Sequence, residues 1–145
     1  MKITIHEDPN ISDTEISIVC PEMTEELRDM IANLALIGYT VAGKKEGETF
    51  FVSLKDIFYF ESVDGSIFFY TKEDTYEAAA RLYKIEEWVQ NLKFARISKT
   101  AIVNLRKMQS IKQAEHSRLV ATLINGEKLV VSRQYVPEIK KKLGV

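Results

Sequence analysis

Four cations, Arg96, Lys99, Arg106 and Lys107, fall within the fifteen residues FARISKTAIVNLRKM, Phe94 to Met108, and no carboxylate accompanies them. Guanidinium and ammonium groups without acidic neighbours suit the neutralisation of a polyanion. Arg, Lys and Asn side chains can also donate to base edges in a nucleic-acid groove. Lys99 and Thr100 lie at a break between two apolar runs, and Arg133 lies just past a later apolar run. Both are element boundaries, from which a side chain can project. The charge of the whole chain points the same way. Residues 1–77 hold 6 of the 20 cations and 16 of the 21 acids, a balance of −10; residues 78–145 hold the other 14 and 5, a balance of +9. Such asymmetry fits a polyanionic partner for the basic half, with two solvated faces of opposite sign as the plainer alternative.

Catalytic chemistry is poorly provided for. No GxxxxGK[ST] phosphate loop occurs, and nothing marks a nucleophile turn beside a poised base. His6 and His116 are far apart, and the one cysteine, Cys20, can form neither an internal disulfide nor a metal cluster. Free cysteine is usually a small buried residue, and that is the expectation for Cys20. His116, within AEHSR, is expected at an exposed hairpin tip. The carboxylate pairs Glu25-Glu26 and Glu86-Glu87 belong to amphipathic helical patterns and read as solvated faces. The expectation is a protein that is not an enzyme and carries no cofactor or metal.

The elements that must hold the cations follow from periodicity. EISIV, residues 15–19, alternates as a strand does; PEMTEELRDMIANLALIG then places Met23, Leu27, Met30, Ile31 and Leu34 at helical spacing, with Pro21 at the start and Gly38 as the stop. YTVAG, ETFFVSL, DIFYFES, SIFFYTK and DTYEA read as short strands, and Asp64-Gly65 is a two-residue hairpin turn. AARLYKIEEWVQNL returns to helical spacing through Leu82, Ile85, Val89 and Leu92, with Trp88 as an anchor. MQSIKQA, RLVATLI and KLVVS are three more strands, the last two joined at Asn125-Gly126. Ser132 is placed to cap a final helix that tolerates Pro137 only in its first turn. The fold class is mostly β with short helices, of sandwich or barrel type, preceded by a β–α extension. No apolar run approaches the ~20 residues needed to span a bilayer. The acidic opening MKITIHEDPN is unlike a secretory signal, so the expected location is cytoplasmic.

Three stretches in this order and spacing, DIFYFES, FARISKTAIVNLRKM and NGEKLVVSRQY, resemble the LytTR family of bacterial DNA-binding domains over about residues 40–143. The resemblance implies an elongated fold of stacked β-sheets that inserts loops, rather than a recognition helix, into successive grooves of bent double-stranded DNA. The loops it implies are Asp64–Ile67, with Ser66; Ser98 and Lys99; and Arg133 with Gln134. Arg96, Arg106 and Lys107 join these as expected DNA contacts. The first loop lacks the long polar or basic side chain that many members carry, and Ser98 stands where many have histidine. Asn104 matches a position that fixes the turn after its strand. The resemblance further implies a transcriptional regulator, acting as a homodimer on promoter repeats and restrained by a small membrane protein. Residues 1–39 form the extension, for dimerisation or regulation, and residues 40–145 the DNA-binding domain. Forty residues are too few for a receiver domain, so a stand-alone regulator is expected. The alternatives are a protein-interaction module whose basic face docks an acidic partner, and RNA binding through Phe68, Phe69 and Tyr70.

Overall fold

The computed structural model describes the backbone of residues 1–145 and all side chains except those of Ala32, Ala35 and Leu36. In chain order the elements are α1 (Glu25–Leu36), β1 (Thr40–Lys45), β2 (Glu48–Ser53), β3 (Tyr59–Val63), β4 (Ser66–Tyr70), β5 (Thr75–Ala78), α2 (Leu82–Val89), β6 (Phe94–Ser98), β7 (Ala101–Asn104), β8 (Met108–Gln113), β9 (Leu119–Leu123), β10 (Lys128–Val131) and α3 (Val136–Leu143). A seven-stranded antiparallel sheet runs in the order β2-β1-β5-β4-β3-β7-β6, and a three-stranded sheet in the order β10-β9-β8.

Consecutive strand residues point to opposite faces, so a strand that buries both must be covered on both sides. β3 buries Tyr59 and Phe60, and all four residues of β7 are buried. Phe60, Phe69, Phe94 and Ile102 pack on one side with Leu82, Ile85 and Val89 of α2. Tyr59, Ala95, Ile97, Ala101 and Val103 pack on the other side with Leu119, Ala121, Leu123 and Val131 of the small sheet and Ile139 of α3. The molecule therefore has two cores, one on each side of the large sheet. This explains why FARISKTAIVNLRKM is apolar at both odd and even positions.

Several expectations need correction. The strand at residues 15–19 does not form; residues 1–23 carry neither helix nor strand and are exposed, Ile16, Ile18 and Val19 included. Alternation alone does not make a strand without a neighbour to bond. The extension is therefore helical only. Its N-cap is Thr24, whose Oγ1 accepts from the Leu27 N–H at 3.1 Å, while Pro21 stays outside. Cys20 is exposed rather than buried. The second helix is shorter than its periodic stretch. Ala78 still pairs with Gly43 and Ile67, so the chain must leave the sheet before it can coil. Trp88 on that helix is 55% exposed and borders a shallow apolar hollow with Tyr39 and Val41 instead of anchoring in the core. The sandwich is an open sheet faced by a smaller one, not a barrel.

Candidate nucleic-acid interface

The antiparallel registers decide which loops share an end. β3 pairs with β7 through Glu61 and Ala101, and the Ser62 N–H donates to the Thr100 carbonyl at 2.8 Å. The β3–β4 turn and the β6–β7 turn are therefore neighbours. The Ser132 N–H donates to the Ile97 carbonyl at 2.8 Å, which fastens the exit of β10 to the same end. Two backbone bonds thus tie three loops from two sheets into one edge of the molecule.

Each loop has a local cause. At the β3–β4 turn Asp64 and Gly65 both have positive φ, +51° and +83°, as a two-residue turn matching strand twist requires. Between β6 and β7 the register shifts from Arg96 opposite Ile102 to Ser98 opposite Ala101, a bulge that re-aims the turn. Ser98 Oγ accepts from the Thr100 N–H at 3.1 Å and steadies the turn from within. Arg96 braces it from below: Nη1 donates to the carbonyls of Ser98 at 3.4 Å and Lys99 at 2.6 Å, and Nε donates to Glu86 Oε2 of α2 at 3.3 Å. Lys99 and Thr100 are left exposed at the tip. At the β10 exit the Ser132 carbonyl accepts from the Tyr135 N–H at 2.9 Å. The Ser132 hydroxyl makes no capping bond, contrary to its expected role, because a short turn over Arg133–Tyr135 intervenes before α3.

A cleft of about 400 Å³ results, lined by Ser98, Lys99, Thr100, Ser132, Arg133 and Gln134. Neither Lys99 nor Arg133 has an ion-pair partner among the described residues. The cleft thus sets two free cations among hydroxyl and amide groups, an arrangement able to meet phosphate oxygens and to donate to base edges.

The remaining expected residues lie elsewhere. Ser66 is half-buried in the adjoining hairpin, beside the cleft but not lining it. Arg96 is turned inward as the brace. Arg106 and Lys107 follow β7, at the end of the β6–β7 hairpin opposite Lys99, and the geometry separates them from the cleft. Arg106 Nε donates to Asn33 Oδ1 of α1 at 2.8 Å and Nη1 to the Leu92 carbonyl at 3.1 Å; burial lowers its pKa. Lys107 Nζ sits 5.0 Å from the centre of the Phe58 ring, a cation–π contact within the fold. Sequence proximity misleads here because a hairpin sends Lys99 and Arg106, seven positions apart, to opposite ends. Thr100, expected to project from the loop with Lys99, lines the cleft beside it, whereas Ser132 is a cleft residue that sequence reading took only for a helix cap; the sign available was its position directly beside Arg133.

Asn104 is fully buried, with Nδ2 donating to the Ile57 carbonyl at 2.9 Å and Oδ1 accepting from the Arg106 N–H at 3.1 Å. It fixes the turn after β7 from within the core. At this far end the phenols of Tyr59 and Tyr70 stack with centres 4.4 Å apart and donate to Glu127 at 2.6 Å and Glu61 at 2.9 Å. Burial, reinforced by the neighbouring carboxylates, raises both phenols, that of Tyr70 to about 12.

The family model described as the LytTr DNA-binding domain matches residues 47–144. An uncharacterised HTH-type transcriptional regulator of Staphylococcus aureus is 23% identical over 147 residues, covering 100% of this chain and 99% of its own length. Sensory transduction protein LytT of Enterococcus faecalis is 29% identical over 100 residues, 69% of this chain; the match spans only 41% of that longer protein. Among solved structures, the LytTr DNA-binding domain of a Bacillus cereus protein described as a methyl-accepting/DNA response regulator superposes with a TM-score of 0.69. It is 25% identical, and the match covers 73% of this chain and 97% of that domain.

Proposed function

Because the chain belongs to the LytTR family of DNA-binding domains, we propose that it is a sequence-specific transcriptional regulator that grips double-stranded DNA by inserting loops into successive grooves. The observation that carries this reading is the cleft in which Lys99 and Arg133 stand without ion-pair partners, on loops from two different sheets bonded to one another. Phosphates supply the missing counter-charge, and Arg133, with Gln134 beside it, has the donors to distinguish bases. Ser98 contributes a hydroxyl at the tip, and Ser66 a flanking phosphate contact. Arg96 serves the site by shaping the turn that presents Lys99. Arg106 and Lys107 act only as distant contributors to the basic field.

The regulator acts as a homodimer on paired promoter repeats, with residues 1–39 as a dimerisation or regulatory extension of a DNA-binding domain over residues 40–145. A small membrane protein is the proposed restraining partner. No described helix is long and apolar enough to cross a membrane. The location proposed is cytoplasmic.

The test is a fluorescence-anisotropy titration with the duplex upstream of the protein's own operon and a shuffled duplex, at several salt concentrations. Tight binding to the first, with a steep salt slope, is expected. Arg133→Ala should weaken binding to the preferred duplex by ~1–3 kcal/mol and flatten sequence preference. Equal binding to both duplexes by the unaltered protein would remove the sequence-specific reading, and absence of duplex binding would remove the function.

A further inference from the structure

The three-stranded sheet ends in two loops on the same edge. Val131 of β10 pairs with Leu119 of β9, and Leu119 pairs with Gln113 of β8. The β8–β9 loop, Ala114–Arg118, therefore opens at the edge from which Ser132 and Arg133 leave the sheet. Its conformation is unusual. His116 and Ser117, neither of them glycine, both have left-handed backbones, with φ of +59° and +60°. The β3–β4 turn has one non-glycine at such a position, Asp64, followed by Gly65, and the β9–β10 turn uses Gly126; the Ala114–Arg118 loop holds two non-glycine residues there in succession. A turn alone would be easier to build with glycine, and non-glycine residues held in this region often have a task beyond turning the chain.

The loop is held firmly. The Ala114 N–H donates to the Arg118 carbonyl at 2.9 Å, and Gln113 Nε2 donates to the same carbonyl at 3.3 Å. The Arg118 N–H and Nε both donate to the Glu115 carbonyl, at 3.4 Å and 3.1 Å. No ion pair joins Arg118 to the Glu115 carboxylate or to any other acid among the described residues, and Glu115, His116, Ser117 and Arg118 are all exposed. The result is a rigid tip with an unpaired guanidinium fixed by its stem.

We propose that the Ala114–Arg118 loop is a further DNA-contacting element, in which Arg118 clamps a backbone phosphate beside the groove entered by Arg133. Neighbouring strands lie about 4.8 Å apart, so a loop spanning the two strands next to β10 stands roughly 5–10 Å to the side of the β10 exit. A major groove is about 12 Å wide, so a point displaced that far from a loop seated in it lies over the phosphate wall, not over the bases. Arg118 is then a positioning contact that adds affinity without reading sequence. His116 and Ser117, next to it on the rigid tip, offer an imidazole and a hydroxyl to the same phosphate. This inference rests on the loop-insertion reading above.

The test uses the full chain, a duplex recovered from a random-sequence pool by binding selection, and a shuffled counterpart. Arg118→Ala is expected to weaken binding about tenfold on both duplexes alike and to lower the salt slope by about one. Arg118→Lys should recover most of the loss, since a phosphate clamp needs the charge more than the fork. Arg118 is exposed, so its replacement should leave the melting temperature unchanged, and that is measured alongside. If Arg118→Ala keeps full affinity and the full salt slope while Lys99→Ala loses both, the loop contact is overturned and the DNA-binding reading survives. If Arg118→Ala weakens only the selected duplex, the phosphate role is overturned. Failure of the unaltered protein to bind either duplex overturns the reading and this inference together.

Discussion

Arg96 is a cation spent on shaping a loop from within the fold. It spans from Glu86 on α2 to two carbonyls of the Ser98–Lys99 turn, a geometry that depends on the flat, forked guanidinium. An ammonium keeps the charge but cannot hold three acceptors in those directions. Arg96→Lys should therefore weaken DNA binding several-fold, and loosen the turn by ~1 kcal/mol as read by amide exchange at Thr100. Unchanged exchange together with unchanged affinity would make the brace incidental. At this scale the sequence is a partial guide. Lys99 and Arg133 are legible as cations at element boundaries. The inward turn of Arg96 is not, because it depends on Glu86 arriving from another element. Asn104 is legible only through its family pattern, since its partner Ile57 is 47 residues away.

The elements were easier to read than their pairings. Every strand from β1 to β10 sits on a stretch with β-like composition, and both glycine turns, Asp64-Gly65 and Asn125-Gly126, join the strands they should. Residues 15–19 fail because strand formation is decided by a neighbour, which local alternation cannot supply. Gly43 illustrates a constraint that no local pattern reveals. Its backbone lies against Phe69, and a Cβ there would also come within 2.7 Å of Tyr76 Cβ. Phe69 is fully buried beneath it. Gly43→Ala should destabilise the fold by ~1–3 kcal/mol through overpacking, measured by urea denaturation. The two sheets are also joined at their far end by the Tyr59–Glu127 bond. Both phenols have folded-state pKa values above the ordinary value of about 10, so their contribution to stability is complete below that pH. It is lost as pH rises through the folded value, about 12 for Tyr70. The melting temperature should therefore fall above pH ~10, and that of Tyr59→Phe should fall less steeply over the same window. Parallel pH curves for the two proteins would exclude this linkage.

Taken as a whole, the molecule separates its tasks by end. One end gathers the loops with unpaired cations. The other is closed by the stacked tyrosines, by Asn104 and by the docking of α1, where Asp29 pairs with Lys93 and Asn33 accepts from Arg106. Composition alone discloses the +9 charge of residues 78–145, but only topology shows that part of it is used within the fold. The large sheet also ends asymmetrically. At β6 the free edge is partly occupied by Ser132, whereas β2 offers its outer side to solvent with Phe50 and Phe51 exposed. A row of unanswered amides beside aromatic rings invites strand-to-strand sticking between molecules. Concentrated stocks should accordingly turn cloudy with time, and Phe51→Lys should keep them clear, a difference that light scattering would record. The practical ceiling on how much of this protein can be held in solution is thus set at β2, on the rim of the sheet away from β6.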